Sequence, residues 1–241
     1  MRLRATALAL VALVGAGWTS AQTDDPVTVY AAASLTESLP RISAASRFQF
    51  AGSNQLALQI RQGAPADVFA SASPIYTQQL HREGLVERPR TFATNSLVLA
   101  VPKRNPARIR SVCDLAKRPS LKLVVAGAKV PVGLYTREVL KRLELLRVLR
   151  KAVSQEPDVR GIVGKLALGE ADAGFVYATD VRAAGGRLVA IPLPRRSQPT
   201  IRYEVAVVKS SKNRAGAFEL IASLLGADGR RELARAGFGL P

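Results

Sequence analysis

The chain has 241 residues, of which 48% are hydrophobic and 22% are charged. This composition supports a sizeable core and excludes a disordered chain, so we expect one large domain or two smaller ones. The 35 Lys and Arg residues outnumber the 18 Asp and Glu residues, which gives a formal net charge of +17. The basic residues are spread along the chain without zinc-finger spacing or a recognisable nucleic-acid module. We therefore expect no nucleic-acid partner.

The first 21 residues have the pattern of a cleaved secretory signal. Arg2 and Arg4 precede an apolar stretch over residues 5–18, and small residues lead up to Ala21. The apolar stretch is shorter than the roughly 20 residues of a membrane-spanning helix, so we predict cleavage after Ala21. Cleavage removes two basic and no acidic residues, which lowers the net charge to +15. The only cysteine is Cys113, which predicts no internal disulfide and no lipid anchor, and we expect a periplasmic protein.

Strand-like apolar runs alternate with helix-like runs, which predicts an α/β fold with largely parallel sheets. In the first part of the chain the predicted strands cover residues 27–33, 47–50 and 67–71, and the predicted helices cover residues 35–45, 53–62 and 74–83. Ser34 and Glu37 have the spacing of a capping box, so Ser34 is predicted to start a helix. The alternative is that Ser34 holds an anion at the helix N-terminus.

The same alternation continues to the end of the chain. The predicted strands cover residues 96–101, 121–126, 173–177, 188–192 and 203–209, and the predicted helices cover residues 111–117, 133–152, 158–168, 215–225 and 229–236. If the chain has two lobes, extended segments near residues 96–103 and 202–209 join them. This arrangement predicts a discontinuous first lobe, residues 22–98 and 206–241, and a second lobe over residues 99–205.

Four segments lead into the start of a helix, which is where α/β sheets bind ligands. They cover residues 33–35, 52–54, 131–133 and 158–160. Each offers backbone N–H donors, Ser34 and Ser53 add hydroxyls, and Tyr177 at the end of a strand brings a phenol to the same cleft. One such segment is more often a helix cap than an anion site, but four of them in a two-lobed chain predict an anion site.

The chain is poor in catalytic residues. It contains no G-x-S-x-G motif, and its only histidine, His81, is predicted on the surface in the middle of a helix. One cysteine and one histidine do not make a typical metal site. Asp67 and Asp180 end or follow strands, where they are expected to be caps or hydrogen-bond partners. We expect a protein that is not an enzyme, with an exported hydrolase and a sensor domain of a transcription factor as the weaker alternatives.

Eight segments, in this order, resemble the periplasmic molybdate-binding proteins of ATP-binding-cassette (ABC) importers: VYAAASLTESL, FAGSNQLALQI, GAPADVFASA, NSLVLAVPK, VPVGLYTREVL, EPDVRG, GFVYATDV and YEVAVVK. The resemblance covers essentially all of the chain after residue 21. It implies a two-lobed, type II periplasmic-binding-protein fold, in which each lobe is a mostly parallel sheet flanked by helices. Such a protein closes over molybdate or tungstate and delivers it to a permease subunit in the inner membrane.

Carried over by position, the resemblance implies that Ser34 and Ser53 bind the ligand through hydroxyl and backbone N–H, Val132 and Val159 through backbone N–H, and Tyr177 through its hydroxyl. It implies no cofactor and no direct metal ligand, because the metal is bound as its oxyanion, and we expect a monomer. One departure is that only 18 residues separate Ser34 from Ser53. With Pro40 among them, the first helix is predicted to be shortened.

A site made of neutral N–H and O–H donors suits a fully ionised tetrahedral anion, since size and geometry then discriminate between oxyanions. Molybdate and tungstate are close in size, whereas sulfate and phosphate are smaller, and a protonated phosphate would need an acceptor. A binding protein for sulfate or phosphate is the nearest alternative function.

Overall fold

A computed structural model describes residues 25–241. The predicted signal peptide and its cleavage site lie outside the described residues. Ten strands form two five-stranded sheets within the described range: β1 Thr28–Ala32, β2 Arg47–Ala51, β3 Val68–Ser71, β4 Arg90–Asn95, β5 Leu97–Pro102, β6 Leu123–Ala126, β7 Ala152–Glu156, β8 Ala173–Tyr177, β9 Leu188–Pro192 and β10 Ile201–Val207.

Nine α-helices flank the sheets in this part of the chain: α1 Leu39–Ile42, α2 Ser53–Arg61, α3 Pro74–Arg82, α4 Asp114–Lys117, α5 Pro131–Arg142, α6 Val159–Ala167, α7 Ala178–Ala183, α8 Arg214–Leu225 and α9 Ala227–Ala236. Short 3-10 helices occupy Ala33–Leu35, Leu146–Lys151 and Arg195–Ser197. None of the helices placed within residues 25–241 has the length and apolar character that crossing a bilayer requires.

The two sheets have the same design. Their strand orders are β2-β1-β3-β10-β4 and β7-β6-β8-β5-β9. In each sheet three neighbouring strands are parallel, and one strand of opposite direction, β10 or β5, pairs on both sides. The sheets are therefore mixed rather than mostly parallel, because each receives one strand that enters directly from the other sheet. We call each sheet, with the helices packed on it, a lobe.

The chain passes between the sheets twice. The first passage is at Ser96, between β4 and β5, and the second lies between Pro192 at the end of β9 and Ile201 at the start of β10. β10 pairs with β3 and β4, so residues 201–205 lie in the first sheet. The proposed division into lobes at residues 98/99 and 205/206 falls a few residues beyond these two passages.

The prediction of one helix over residues 133–152 is wrong in its second half. Helix α5 ends at Arg142, and Glu144 has a φ of 58°, a left-handed conformation that ends helices. The chain then turns through a 3-10 helix and continues as β7, which pairs in parallel with β6. Leu146, which lies within the predicted helix, is 44% exposed. The edge strand β4 was not predicted because four of its six residues are polar.

The segment after β1 also differs from the capping-box prediction. Ser34 lies inside a 3-10 turn whose N-cap residue is Ala32, and no side chain caps that turn. The capping-box interpretation is therefore wrong. The predicted shortening of the first helix is confirmed, since α1 is a single turn. Pro40 stands in this first turn, where a missing N–H costs no hydrogen bond.

Side chains of β1 alternate between two buried faces of the first sheet, as the period of a strand requires. Tyr30 packs with Leu56 and Leu80 of α2 and α3. Val29 and Ala31 belong to the larger apolar cluster, which extends to α8. Because both faces are covered, the polar ends of the strands are left as the place where a small ligand can reach the backbone.

Candidate functional site

The five predicted site residues line one cavity between the lobes. Ser34 and Ser53 come from the first lobe, and Val132, Val159 and Tyr177 come from the second. The volume open to the centre of a water molecule is only about 10 Å³, so the cavity suits an ion of a few atoms and not a large organic solute. No Lys, Arg or His of the described chain lines it.

Each of these residues stands where a strand gives way to a helix or turn. Ser34 is the second residue after β1, Ser53 is the first residue of α2, and Tyr177 is the last residue of β8. Val132 and Val159 are in the first turns of α5 and α6. The parallel strands of each sheet place their carboxyl ends at one edge, and the two edges face the same cavity.

Helix N-termini at the cavity keep unpaired N–H groups. The first N–H groups of an α-helix have no partner inside the helix. The N-cap residues of α2 and α5, Gly52 and Val130, supply no side-chain acceptor. At α6 the Asp158 carboxylate accepts from Arg160 N and Gly161 N at 2.8 and 3.2 Å. This cap begins one residue beyond Val159, so the Val159 N–H is left to another acceptor.

The hydroxyls at the cavity differ in their partners. Ser53 Oγ accepts from Ala72 N at 3.1 Å, and Ser34 Oγ lies 2.9 Å from Tyr203 Oη. Tyr177 Oη is buried and has no hydrogen-bond partner among residues 25–241. Burial raises the pKa of the Tyr177 hydroxyl well above its ordinary value of 10, so the group is a neutral donor. An unpaired buried hydroxyl costs about 1–3 kcal/mol, which a ligand acceptor would recover.

The lobes touch around the cavity. Tyr76 Oη of the first lobe donates to Lys129 O, and Tyr135 Oη of the second lobe donates to Ala72 O at 3.3 Å. Arg160 Nη1 and Glu37 Oε1 form an ion pair across the cleft at 3.2 Å. We call this arrangement, in which the two lobes are in contact beside the cavity, the closed conformation.

The acidic residues considered from sequence are hydrogen-bond partners, as predicted. Asp67 accepts from Thr28 N at 2.8 Å and from Ser211 Oγ at 2.6 Å. Asp180 accepts from Tyr177 N at 2.9 Å, and its burial raises its pKa to about 7. Neither lines the cavity.

His81 differs from its prediction. It lies near the C-terminal end of α3 rather than in the middle of a helix, and it is half-buried rather than on the surface. Its Nδ1 is 3.1 Å from Val86 O. Cys113 is exposed. Neither residue lines the cavity, so neither is placed for chemistry on a ligand there.

A family model described as bacterial extracellular solute-binding protein matches residues 27–239. The chain belongs to this family. The members of this family bind solutes and are not enzymes, which agrees with the prediction. Over 225 residues this solute-binding protein is 35% identical to the molybdate-binding protein ModA of Mycobacterium bovis, and the match covers 89% of this chain and 85% of that protein.

Solved structures confirm the predicted fold class. The periplasmic molybdate-binding protein of Azotobacter vinelandii matches with a TM-score of 0.79 and 23% identity, over 89% of this chain and 99% of that one. The sulfate-binding protein SubI of Mycobacterium tuberculosis matches with a TM-score of 0.77 and 16% identity, over 88% of this chain and 86% of that one. Proteins named for two different oxyanions share the fold, so the fold alone does not identify the anion.

Two residues beside the cavity were missed by the sequence analysis. Tyr203 of β10 contacts the hydroxyl of Ser34, and Asn95 at the end of β4 contacts Tyr203. Both residues lie at or next to segments that carry the family resemblance. Their relation to Ser34 depends on strands that are far apart in the chain, and no local pattern indicates it.

Proposed function

We propose that this solute-binding protein captures molybdate in the periplasm and delivers it to an ABC importer. One observation carries the proposal: donors from both lobes converge on a small cavity without cationic lining, and the Tyr177 hydroxyl is buried there without a partner. The 35% identity to a protein named for molybdate binding supports the same anion. We further propose that the protein acts as a monomer and docks on a permease subunit of the inner membrane.

The proposed ligand set is Ser34, Ser53 and Tyr177 through their hydroxyls, and Ser53, Val132 and Val159 through backbone N–H groups. Each donor that faces a charged oxygen contributes about 1.5–3 kcal/mol. Several such bonds together exceed the cost of ordering the ligand and closing the lobes. Tight binding therefore needs no lysine or arginine in contact with the anion.

The type of anion follows from the donors. The proposed ligand groups are all N–H and O–H donors, which favours an oxyanion without protons over hydrogen phosphate. Asp158 also lines the cavity, but its carboxylate accepts from Arg160 N and Gly161 N as the cap of α6. Sulfate is also unprotonated but smaller, so donors spaced for molybdate would leave it with long hydrogen bonds. Tungstate is close to molybdate in size, and we propose that it binds as well.

Calorimetric titration of the purified protein with molybdate, tungstate, sulfate and phosphate tests the proposal. We expect submicromolar dissociation constants for molybdate and tungstate, and binding of sulfate and phosphate weaker by at least about a hundredfold. Ser53→Ala should weaken molybdate binding, whereas the exposed Ser120→Ala, in the loop before β6, should not. Submicromolar binding of sulfate without binding of molybdate would overturn the proposal.

A further inference from the structure

The hydroxyl of Ser34 is the end of a chain of hydrogen bonds that begins at Asn95. Asn95 Oδ1 accepts from Ser96 N at 2.9 Å, which identifies the other amide atom as the nitrogen, a donor only. This nitrogen lies 2.9 Å from Thr179 Oγ1 and, in a longer bond, 3.4 Å from Tyr203 Oη. Tyr203 Oη therefore accepts from Asn95 and keeps its own hydrogen, which it can donate to Ser34 Oγ at 2.9 Å.

The direction of these hydrogen bonds decides whether Ser34 presents a hydrogen or a lone pair to a ligand. A serine hydroxyl has one hydrogen to donate. When Ser34 Oγ accepts the hydrogen of Tyr203, its own hydrogen stays available on the side of the cavity. With the chain reversed, Ser34 would donate to Tyr203 and present a lone pair to the ligand.

We infer that Tyr203, oriented by Asn95, is a positioning residue that fixes Ser34 as a hydrogen-bond donor, and that it thereby sets the preference of the site for unprotonated oxyanions. The inference rests on the proposed function, since it concerns the same cavity. Tyr203 and Asn95 do not line the cavity. By this inference they nevertheless help to determine which anion is bound.

Ser53 is also fixed as a hydrogen-bond donor, but by a different kind of partner. Its Oγ accepts from the backbone N–H of Ala72. A backbone N–H can only donate, so the direction of this bond is fixed without further help. The partner of Ser34 is a hydroxyl, which could donate or accept. Ser34 therefore needs a third group to set the direction, and the Asn95 amide is that group.

The surroundings of Tyr203 hold the chain in place. Tyr203 is fully buried, and its ring packs edge-on against Phe92, Tyr177 and Phe238 with centroids 5.3–6.0 Å apart. Burial raises the pKa of the Tyr203 hydroxyl well above its ordinary value of 10, so it keeps its hydrogen. Ser34, Tyr203 and Asn95 all belong to the first lobe. The three residues of this hydrogen-bond chain therefore come from a single lobe.

The test compares sulfate with phosphate, which are similar in size, at neutral pH, where phosphate carries at least one proton and sulfate none. Their affinities, measured by displacement of molybdate, give a sulfate-to-phosphate ratio that reports the donor character of the site. Tyr203→Phe removes only the hydroxyl and keeps the ring. We expect it to lower molybdate affinity by about threefold to tenfold and to lower the ratio by a similar factor.

A double-mutant cycle shows whether Tyr203 acts through Ser34. In the Ser34→Ala background, Tyr203→Phe should change neither the molybdate affinity nor the ratio further. Tyr135→Phe is the matched control, since it removes a buried hydroxyl of the same aromatic cluster that bonds across the cleft and not to Ser34. Tyr135→Phe should lower the affinity for all anions by one common factor and leave the sulfate-to-phosphate ratio unchanged.

Thermal unfolding of each variant confirms that it is folded. Asn95→Ala, which removes the amide that makes Tyr203 an acceptor, is a second variant and should lower the ratio in the same direction. An unchanged ratio in both variants, or an equal effect of Tyr203→Phe with and without Ser34, would overturn the inference. Failure of the wild-type protein to bind molybdate would instead overturn the proposed function, and the cycle could then be measured with whichever tetrahedral oxyanion binds.

Discussion

Gly52 of the first lobe meets the carbonyl oxygen of Pro157 in the second lobe so closely that a side chain has no room between them. A Cβ placed on Gly52 would lie 2.5 Å from that oxygen. Gly52 has a φ of −61°, an ordinary value for any residue. The approach of the lobes, and not the local backbone conformation, therefore requires glycine here. Pro157 directly precedes the N-terminus of α6, so this contact sets how near Val159 comes to Ser53.

Gly52→Ala should prevent full closure. We expect the dissociation constant for molybdate to rise at least about tenfold, because the donors of the two lobes no longer reach one anion. The free energy of unfolding of the ligand-free protein should fall by at most about 1 kcal/mol, since alanine is a poorer N-cap than glycine. Calorimetry and urea unfolding measure the two quantities.

Gly164→Ala is the control for this substitution. Gly164 is an exposed residue inside α6, and a Cβ there would meet nothing within 4 Å. It should stabilise the protein by about 0.5–1 kcal/mol and leave molybdate affinity unchanged. Wild-type affinity in Gly52→Ala would show that the closed contact is not needed for binding.

Tyr177→Phe should weaken molybdate binding without lowering the stability of the ligand-free protein. The variant loses one donor to a charged oxygen, so molybdate binding should weaken by about 1.5–3 kcal/mol. The free energy of unfolding without ligand should not fall, because the buried Tyr177 hydroxyl has no partner to lose among the described residues. Tyr30→Phe, at a buried tyrosine of β1 outside the cavity, should leave affinity unchanged. Full affinity in Tyr177→Phe would remove this hydroxyl from the site.

Asp180 should make stability depend on pH. Burial raises its pKa from 3.8 to about 7 in the folded protein. The folded protein thus keeps this proton while the unfolded chain releases it. The contribution of Asp180 to stability is full below about pH 4 and is lost as the pH rises to about 7.

Asp180→Asn tests this dependence, because asparagine cannot ionise and its amide oxygen can still accept from Tyr177 N. The free energy of unfolding of the variant minus that of the wild type should rise by about 2–3 kcal/mol between pH 5 and pH 8. Urea unfolding at both pH values measures it. A difference that is the same at both pH values would mean that Asp180 is already ionised in the folded protein at pH 5.

The sequence could predict which residues meet at the cavity because the relevant signals are local. Ser53, Val159 and Tyr177 each stand where a strand-like or loop segment meets a helix-like run, and the α/β pattern places such junctions at facing edges of the sheets. The local pattern gave a wrong prediction after Arg142, where the predicted helix does not continue. The apolar spacing there continues in helical register, but the left-handed backbone at Glu144 ends the helix and lets β7 join the sheet.

The orientation of Ser34 could not be predicted from its own neighbourhood. The local pattern indicated a capping box with Glu37, yet the Ser34 hydroxyl bonds to Tyr203, 169 positions later. That contact exists because β10 returns from the second sheet to lie between β3 and β4. Such a contact depends on the order of the strands in the sheet, so it cannot be predicted from residues that are adjacent in the sequence.

A crystal structure of the protein grown with molybdate would show where the anion binds, because the anomalous scattering of molybdenum locates the metal without ambiguity. We expect one strong peak in the cavity between the lobes, with its oxygens within hydrogen-bond distance of Ser34, Ser53 and Tyr177 and of the N–H groups of Val132 and Val159. A molybdenum peak held elsewhere by lysine or arginine side chains, with this cavity empty, would show that the neutral donors between the lobes do not bind the anion.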